Sequence, residues 1–119
     1  MSNITESLDG LLTTDGAMCV ALVDSSSGML LGKAGSGLDL DVAAAGNTEV
    51  VRAKLKTIKA LGLDDTIDDI LITLSSQYHI IRPLAQAPEV FLYLVLESAK
   101  ANLALARVKV KQADGALEL

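Results

Sequence analysis

The segment from Asp39 to Leu61 has the pattern of a long helix with more apolar surface than one neighbouring element can cover. At about 100° per residue, larger apolar side chains share one face and smaller ones the adjoining face. The first face holds Ala44, Val51, Leu55 and Ile58, and the second holds Ala43, Gly46, Val50, Ala53 and Leu61. Together they span roughly 200°, about twice the width typical of a surface helix. We therefore expect one face to pack on the core and the other to pack against a helix of a second copy, giving a dimer.

The polar arc of this helix is narrow and is expected to hold Thr48, Glu49, Arg52, Lys56 and Lys59. Arg52, Lys56 and Lys59 recur at i, i+4 and i+7 and form a basic line. The simplest interpretation of that line is the solvated face of the helix. The alternative is a contact with an acidic patch of a partner protein.

Composition limits the class of protein. A length of 119 residues favours a single domain, predicted over residues 1–119 with an ordered core of about residues 3–111. A net charge of −5 argues against nucleic-acid binding, which needs a basic surface. No window approaches the roughly 20 apolar residues of a membrane span, and the start lacks the basic and apolar regions of a signal peptide. We expect a cytoplasmic protein without membrane insertion.

Hydrophobic periodicity predicts three helices and five strands in the order αββαβββα. A short helix that Ser2 or Asn3 caps precedes a strand at Ala17 to Asp24 and a return strand from Met29. After the long helix come strands at Ile70 to Leu74, Tyr78 to Leu84 and Glu89 to Glu97, and a final helix that Ser98 caps. We expect an α+β sandwich, with the long helix on one face of an antiparallel sheet and two helices on the other. The last seven residues are expected to fray.

Two features determine the positions of strands in that sheet. The segment from Glu89 to Glu97 is almost continuously apolar and is expected to be central, covered on both faces. The strand at Ile70 follows four aspartates and is expected at an edge, because charge discourages uncontrolled edge pairing. The aspartates are Asp64, Asp65, Asp68 and Asp69.

No set of residues in the sequence predicts catalysis, a cofactor or a metal. His79 is the single histidine, which excludes a His-pair metal site, and Cys19 is the single cysteine, expected as a buried thiol. The glycine-rich segment from Gly32 to Gly37 lacks the spacing of a phosphate-binding loop. The four aspartates lack the glycine and distal glutamate of a calcium loop. We predict a protein that is not an enzyme.

The element order and three segments resemble the roadblock / dynein light-chain family, in particular its small bacterial stand-alone members. The segments are the hairpin DGAMCVALVDSSSGMLLG, the strand pair DDILITLSSQYHIIRPL, and FLYLVLESAKANLALAR leading into the last helix. The resemblance extends from about Asn3 to Lys111. It implies a roadblock/profilin-like sandwich with a five-stranded antiparallel sheet.

The resemblance also implies a dimer in which long helices pack antiparallel and edge strands join two sheets. On this chain the helix contact would use Ala43, Gly46, Asn47, Val50, Ala53, Lys54, Thr57 and Leu61, and the strand contact would use Ile70, Leu71, Ile72 and Thr73. Family members regulate or scaffold Ras-like small GTPases without catalytic residues of their own, which gives Arg52, Lys56 and Lys59 a possible partner. The alternative is a small-molecule-sensing module, which would need a cavity, or a general protein-interaction module, in either case without a GTPase partner.

Overall fold

The computed structural model describes residues 2–119 and contains the predicted order of helices and strands. The elements are α1 (Ile4–Leu11), β1 (Ala17–Asp24), β2 (Met29–Gly35), α2 (Leu40–Ala60), β3 (Ile70–Thr73), β4 (Gln77–Pro83), β5 (Val90–Glu97) and α3 (Leu103–Ala116). The strands form one antiparallel sheet in the order β2-β1-β5-β4-β3. The expected central strand, β5, and the expected edge strand, β3, are both confirmed. Within residues 2–119, no helix combines the length and the apolar character that crossing a membrane requires.

The sheet separates two apolar cores, as the sandwich prediction requires. Leu8 and Leu11 of α1 and Ala106 and Val110 of α3 pack on one face of the sheet. Leu40, Ala44 and Val51 of α2 pack on the other face. Strands β1 and β5 contribute alternate side chains to both cores, which explains why their sequences lack polar alternation.

Helix α2 begins at the predicted cap but differs from prediction along its length. Asp39 accepts hydrogen bonds from the backbone N–H groups of Asp41 and Val42, at 3.1 and 3.2 Å. Thr48 lies on the core face and not on the polar arc, with 2% of its surface exposed and its hydroxyl bonded to the Ala44 carbonyl at 2.8 Å. Leu55, expected in the core, is 46% exposed. All buried residues of α2 fall between positions 40 and 51, so its second half adds no fully buried residue to the core.

The C-terminal segment is helical up to Ala116, so the expectation that it frays is wrong. Asp114 is buried and accepts a hydrogen bond from Arg82 Nε of β4 at 2.7 Å. The Asn3 side chain bonds the Ala116 carbonyl and the Glu118 N–H, both at 2.8 Å. These bonds connect the end of α3 to the sheet and to the start of α1. The start of α3 was also misplaced, because Asn102 and not Ser98 caps it, through the Leu105 N–H.

Gly35 shows how closely the β2 end approaches β1. Its φ is +83°, in the left-handed region that favours glycine. A Cβ at this position would overlap the Met18 carbonyl oxygen and lie 2.8 Å from the Cys19 Cα. The tight passage leads the chain from β2 into the connection to α2.

Candidate interaction surface

The flank of α2 assigned to a second helix is largely uncovered. Val50 is 37% exposed and Leu61 is 65% exposed, although both are apolar. A Cβ on Gly46 would meet no atom within 4 Å. The other predicted positions Ala53, Lys54 and Thr57 are exposed, whereas Ala43 and Asn47 are half-buried. No other element of the described chain covers the centre of this flank.

The predicted edge strand lies beside this flank. Strand β3 pairs with β4 on one side, and its other side carries no strand. Ile70 and Ile72 are half-buried against the α2-side core, whereas Leu71 packs on the opposite face and Thr73 is exposed. Only alternate residues of β3 therefore face the α2 side, as the two-residue period of a strand requires.

The helix flank and the edge strand meet at an open groove of about 500 Å³. Its lining residues are Val50, Ala53, Lys54, Thr57, Asp69 and Ile70. The structure thus brings together four of the predicted helix positions and one of the predicted strand positions. The groove is open to solvent, which suits a packed helix better than a small molecule that must be enclosed.

The basic line on α2 is divided by its contacts. Arg52 donates a hydrogen bond to the Ser26 carbonyl at 2.9 Å and approaches Glu49 at 3.7 Å, so it holds the β1–β2 turn against α2. Lys56 and Lys59 are exposed and form no ion pair within the described part of the chain. Two of the three predicted contact residues therefore present charge to solvent, and the third has an internal role.

A chain of polar side chains lies on the sheet beneath the groove, and sequence reasoning missed it. The Tyr93 hydroxyl bonds His79 Nδ1 and His79 Nε2 bonds Gln77 Oε1, each at 2.8 Å. Burial raises the pKa of Tyr93, and a hydrogen bond with Asn47 of α2 partly opposes that rise. Asn47 therefore reaches inward to the sheet as well as lying on the predicted contact flank. The available signal was the alternation of Gln77, His79 and Ile81, which places the polar groups on the α2 side.

This arrangement does not form a catalytic pair. Both ring nitrogens of His79 are occupied by hydrogen-bond partners, and burial lowers the pKa of His79. Burial raises the pKa of the Cys19 thiol, which makes it a poor nucleophile at neutral pH. Among residues 2–119, no cluster of His, Cys, Asp and Glu side chains is arranged to hold a metal ion.

The aspartates that precede β3 do not act as one cluster. Asp69 forms a two-pronged ion pair with Arg107 of α3, with N–O distances of 2.5 and 2.9 Å. Asp64, Asp65 and Asp68 are exposed and have no cationic partner in the chain as described. The ion pair anchors the edge strand to α3, and the other three carboxylates face solvent.

Comparison with known proteins identifies the fold. No protein-family model matches the sequence, and no curated protein matches it significantly. Among solved structures, MglB from Myxococcus xanthus is similar, with a TM-score of 0.82 and 22% identity over 94% of this chain and 89% of that one. A roadblock/LC7 domain from Streptomyces avermitilis has a TM-score of 0.80 and 12% identity over 92% and 90% of the two chains. The gliding protein MglB from Thermus thermophilus has a TM-score of 0.78 and 21% identity over 92% and 82%.

Each of these structures is matched over nearly its whole length, so the similarity is one of complete folds and not of a shared hairpin or sheet. At these sequence identities the comparison establishes the fold alone. The three helices and the five-stranded antiparallel sheet of this chain form a roadblock/LC7-type fold.

Proposed function

We propose that the chain is a non-catalytic, homodimeric regulator or scaffold that binds a Ras-like small GTPase or a motility or signalling assembly in the cytoplasm. In this proposal residues 1–119 act as one roadblock-type domain. The observation that carries it is the groove between α2 and β3, whose apolar walls have no cover from the described chain. The similarity to MglB structures, one of them named a gliding protein, supports the choice of partner class.

A second copy of the chain suits the groove, because in a two-fold dimer each protomer contributes the same surface to the contact. In a two-fold dimer the α2 helices would cross at the small residues Gly46 and Ala53, and each would bring Val50 into the other groove. The free side of β3 would pair with its copy and continue the sheet.

The same dimer would leave the solvent side of both α2 helices available to a GTPase. Lys56 and Lys59 lie there, and two antiparallel copies would present four lysines on one surface. Such a surface would attract an acidic region of the partner and speed its association. The chain offers no arginine on a mobile loop, because Arg52, Arg82 and Arg107 all make internal contacts. Any stimulation of GTP hydrolysis would therefore proceed by positioning the residues of the GTPase itself.

Sedimentation equilibrium of matched variants tests the dimer. Val50→Lys and Gly46→Glu place charge in the proposed contact and should give a monomer, because a desolvated unpaired charge is costly. Val108→Lys is the control, since Val108 is 50% exposed on α3, outside the α2–β3 groove. A Val50→Lys protein that stays dimeric at micromolar concentration would refute the assignment of this surface.

Gly46→Ala provides a finer test of the close helix contact. In a helix with open space around it, this change should stabilise the fold by about 1 kcal/mol. At a close helix crossing the added methyl group should instead weaken the dimer. A variant that melts higher and dimerises as tightly as the original would place the contact elsewhere.

Partner binding is tested by titrating a Ras-like GTPase, loaded with GDP or with a non-hydrolysable GTP analogue, into the dimer. Binding that differs between the two nucleotide states and weakens in Lys56→Glu/Lys59→Glu supports the proposal. If an intact dimer binds neither form of the GTPase at micromolar concentration, the proposed GTPase partner is refuted. The remaining function is then a general protein-interaction module. Limited proteolysis of the same sample tests the single domain, which should yield no stable internal fragment.

A further inference from the structure

A second recess lies below the core-facing line of α2, past the last buried residue of that helix, and shares no lining residue with the groove at Val50 and Ile70. It has a volume of about 260 Å³. Its apolar walls are Leu55 of α2, Ile67 of the segment before β3, and Pro83, Leu84 and Pro88 at the β4–β5 turn. Asp65 and Asp68 stand at its rim. We call this site the β4-end pocket.

The pocket exists because α2 is longer than the sheet surface it covers. Leu55 follows Ala44, Thr48 and Val51 on the core-facing line of the helix, yet it is 46% exposed. At its level the helix faces the end of β4, at Arg82 and Pro83, and the connection that follows it to Pro88. The Leu55 side chain therefore remains a partly exposed apolar surface after the chain has folded.

The size of the pocket indicates one or two side chains as its occupant. Sites for small molecules usually measure about 300–1,000 Å³ and enclose most of their ligand. A recess of about 260 Å³ that opens to solvent is smaller than that. It matches the kind of depression in which a single apolar anchor residue of a bound protein segment is buried.

The charges around the pocket indicate what flanks that anchor. Asp65 and Asp68 have exposed carboxylates without a cationic partner in the described residues, and Asp64 adds a third. The one cation in the lining, Arg82, is engaged by the Asp114 carboxylate at 2.7 Å and by the Asp68 carbonyl at 3.3 Å. The rim is therefore negative and the walls are apolar. The complementary ligand carries an apolar side chain between lysines or arginines.

We propose that the β4-end pocket is a second docking site that binds a protein segment with a leucine or aromatic anchor flanked by basic residues. The site does not depend on the proposed dimer, because the two surfaces have separate linings. It gives the chain a way to hold one partner at the α2–β3 groove and another at the β4-end pocket. The acidic rim supplies orientation and attraction, and the anchor supplies most of the affinity.

The test is an amide-shift titration of the isotopically labelled full chain with two blocked synthetic peptides. One peptide has a central Leu-Phe pair between lysines, and the other has the same pair between glutamates. The basic peptide should bind with a Kd below about 1 mM and shift the amides near Leu55, Ile67 and Leu84. The acidic peptide should bind at least tenfold more weakly. Equal binding of both peptides, or shifts confined to the Val50–Ile70 groove, would overturn the proposal.

Two variants separate the roles of charge and apolar surface. Asp65→Asn/Asp68→Asn should weaken binding of the basic peptide roughly threefold to tenfold. The control Asp9→Asn/Asp15→Asn changes exposed carboxylates elsewhere and should leave the affinity unchanged. Leu55→Gln, at a position that is already half exposed, should abolish the shifts without loss of fold. Unchanged binding by either pocket variant would refute the site.

The same titration also distinguishes this site from the dimer and from self-docking. Val50→Lys should bind the peptide as the original chain does, so failure of the dimer would leave this result intact. Shifts at the pocket on concentrating the chain without peptide would identify a second copy as the occupant and overturn the proposal.

Discussion

Replacement of Asp114 by alanine should destabilise the fold strongly, although Asp114 lies in the last turn of the last helix. Its carboxylate is 5% exposed and pairs with Arg82, whose side chain is 14% exposed. The same carboxylate accepts the Ala85 N–H at 3.2 Å. The substitution therefore leaves a largely buried guanidinium and a backbone donor without their acceptor.

The expected loss of stability depends on the surroundings of Arg82 and of the Ala85 N–H, which lose their acceptor. Breaking a buried ion pair from one side costs about 3–5 kcal/mol. Arg82 keeps a hydrogen bond to the Asp68 carbonyl, and Ala85 is exposed enough for water to replace its acceptor. We therefore expect the lower end, about 3 kcal/mol. With a urea slope between about 1 and 3 kcal/mol/M, the midpoint should fall by about 1 to 3 M.

The measurement is urea unfolding followed by circular dichroism at one fixed protomer concentration, because the proposed self-association would make stability depend on concentration. Lys100→Ala is the matched control. It removes the exposed pair with Glu97, in which the side chains are 72% and 47% exposed, and it should cost less than about 1 kcal/mol. A loss below about 1 kcal/mol for Asp114→Ala would refute the view that the end of α3 is anchored to the sheet.

Three further outcomes follow from buried or crowded positions. Burial lowers the pKa of His79 from its ordinary 6.5, so the unfolded chain binds the proton more readily than the folded chain does. The free energy of unfolding should therefore fall as the pH drops from about 7.5 to about 5.5. Denaturation curves at several pH values should show a weaker pH dependence for His79→Gln. Gly35→Ala should lower the free energy of unfolding by more than about 2 kcal/mol. Gly62→Ala, where φ is +69° but the surrounding space is open, should lower it by only about 1–2 kcal/mol. Thermal melts compare the two variants, and equal losses of stability would contradict the close contact of Gly35 with Met18. The Cys19 thiol should react with a thiol-specific dye only in denaturant, and rapid labelling of the native chain would contradict its burial.

The sequence predicted the fold because its apolar pattern is consistent along the chain. Strands β1 and β5 are long apolar runs, and the aspartates before β3 distinguish an edge strand from a central one. The errors arose where contacts join residues far apart in sequence. The pairing of Asp114 with Arg82 spans 32 positions, and no local pattern distinguishes an anchored last turn from a frayed one.

The interaction surface was predictable in part. The small-residue flank of α2 could be placed from helical periodicity alone, and the structure leaves that flank open. Periodicity did not predict where the sheet ends beneath the helix, so Leu55 was expected in the core. Thr48, expected on the polar arc, lies at the angle of the core face, where its hydroxyl donates to the Ala44 carbonyl. The hydrogen bonds of Tyr93, His79 and Gln77 depend on strand register, which the sequence did not specify.

The excess length of α2 accounts for the α2–β3 groove and for the β4-end pocket. A helix that ended near Arg52 would cover the same core, because no α2 residue beyond Val51 is buried. The remaining residues of α2 add little to the core of one protomer, yet they supply Ala53, Lys54 and Thr57 to the groove and Leu55 to the β4-end pocket. Ordering them costs conformational entropy that internal packing does not repay. The proposed dimer contact would stabilise this segment, and we expect the second half of α2 to exchange its amide hydrogens faster in a Val50→Lys monomer than in that dimer.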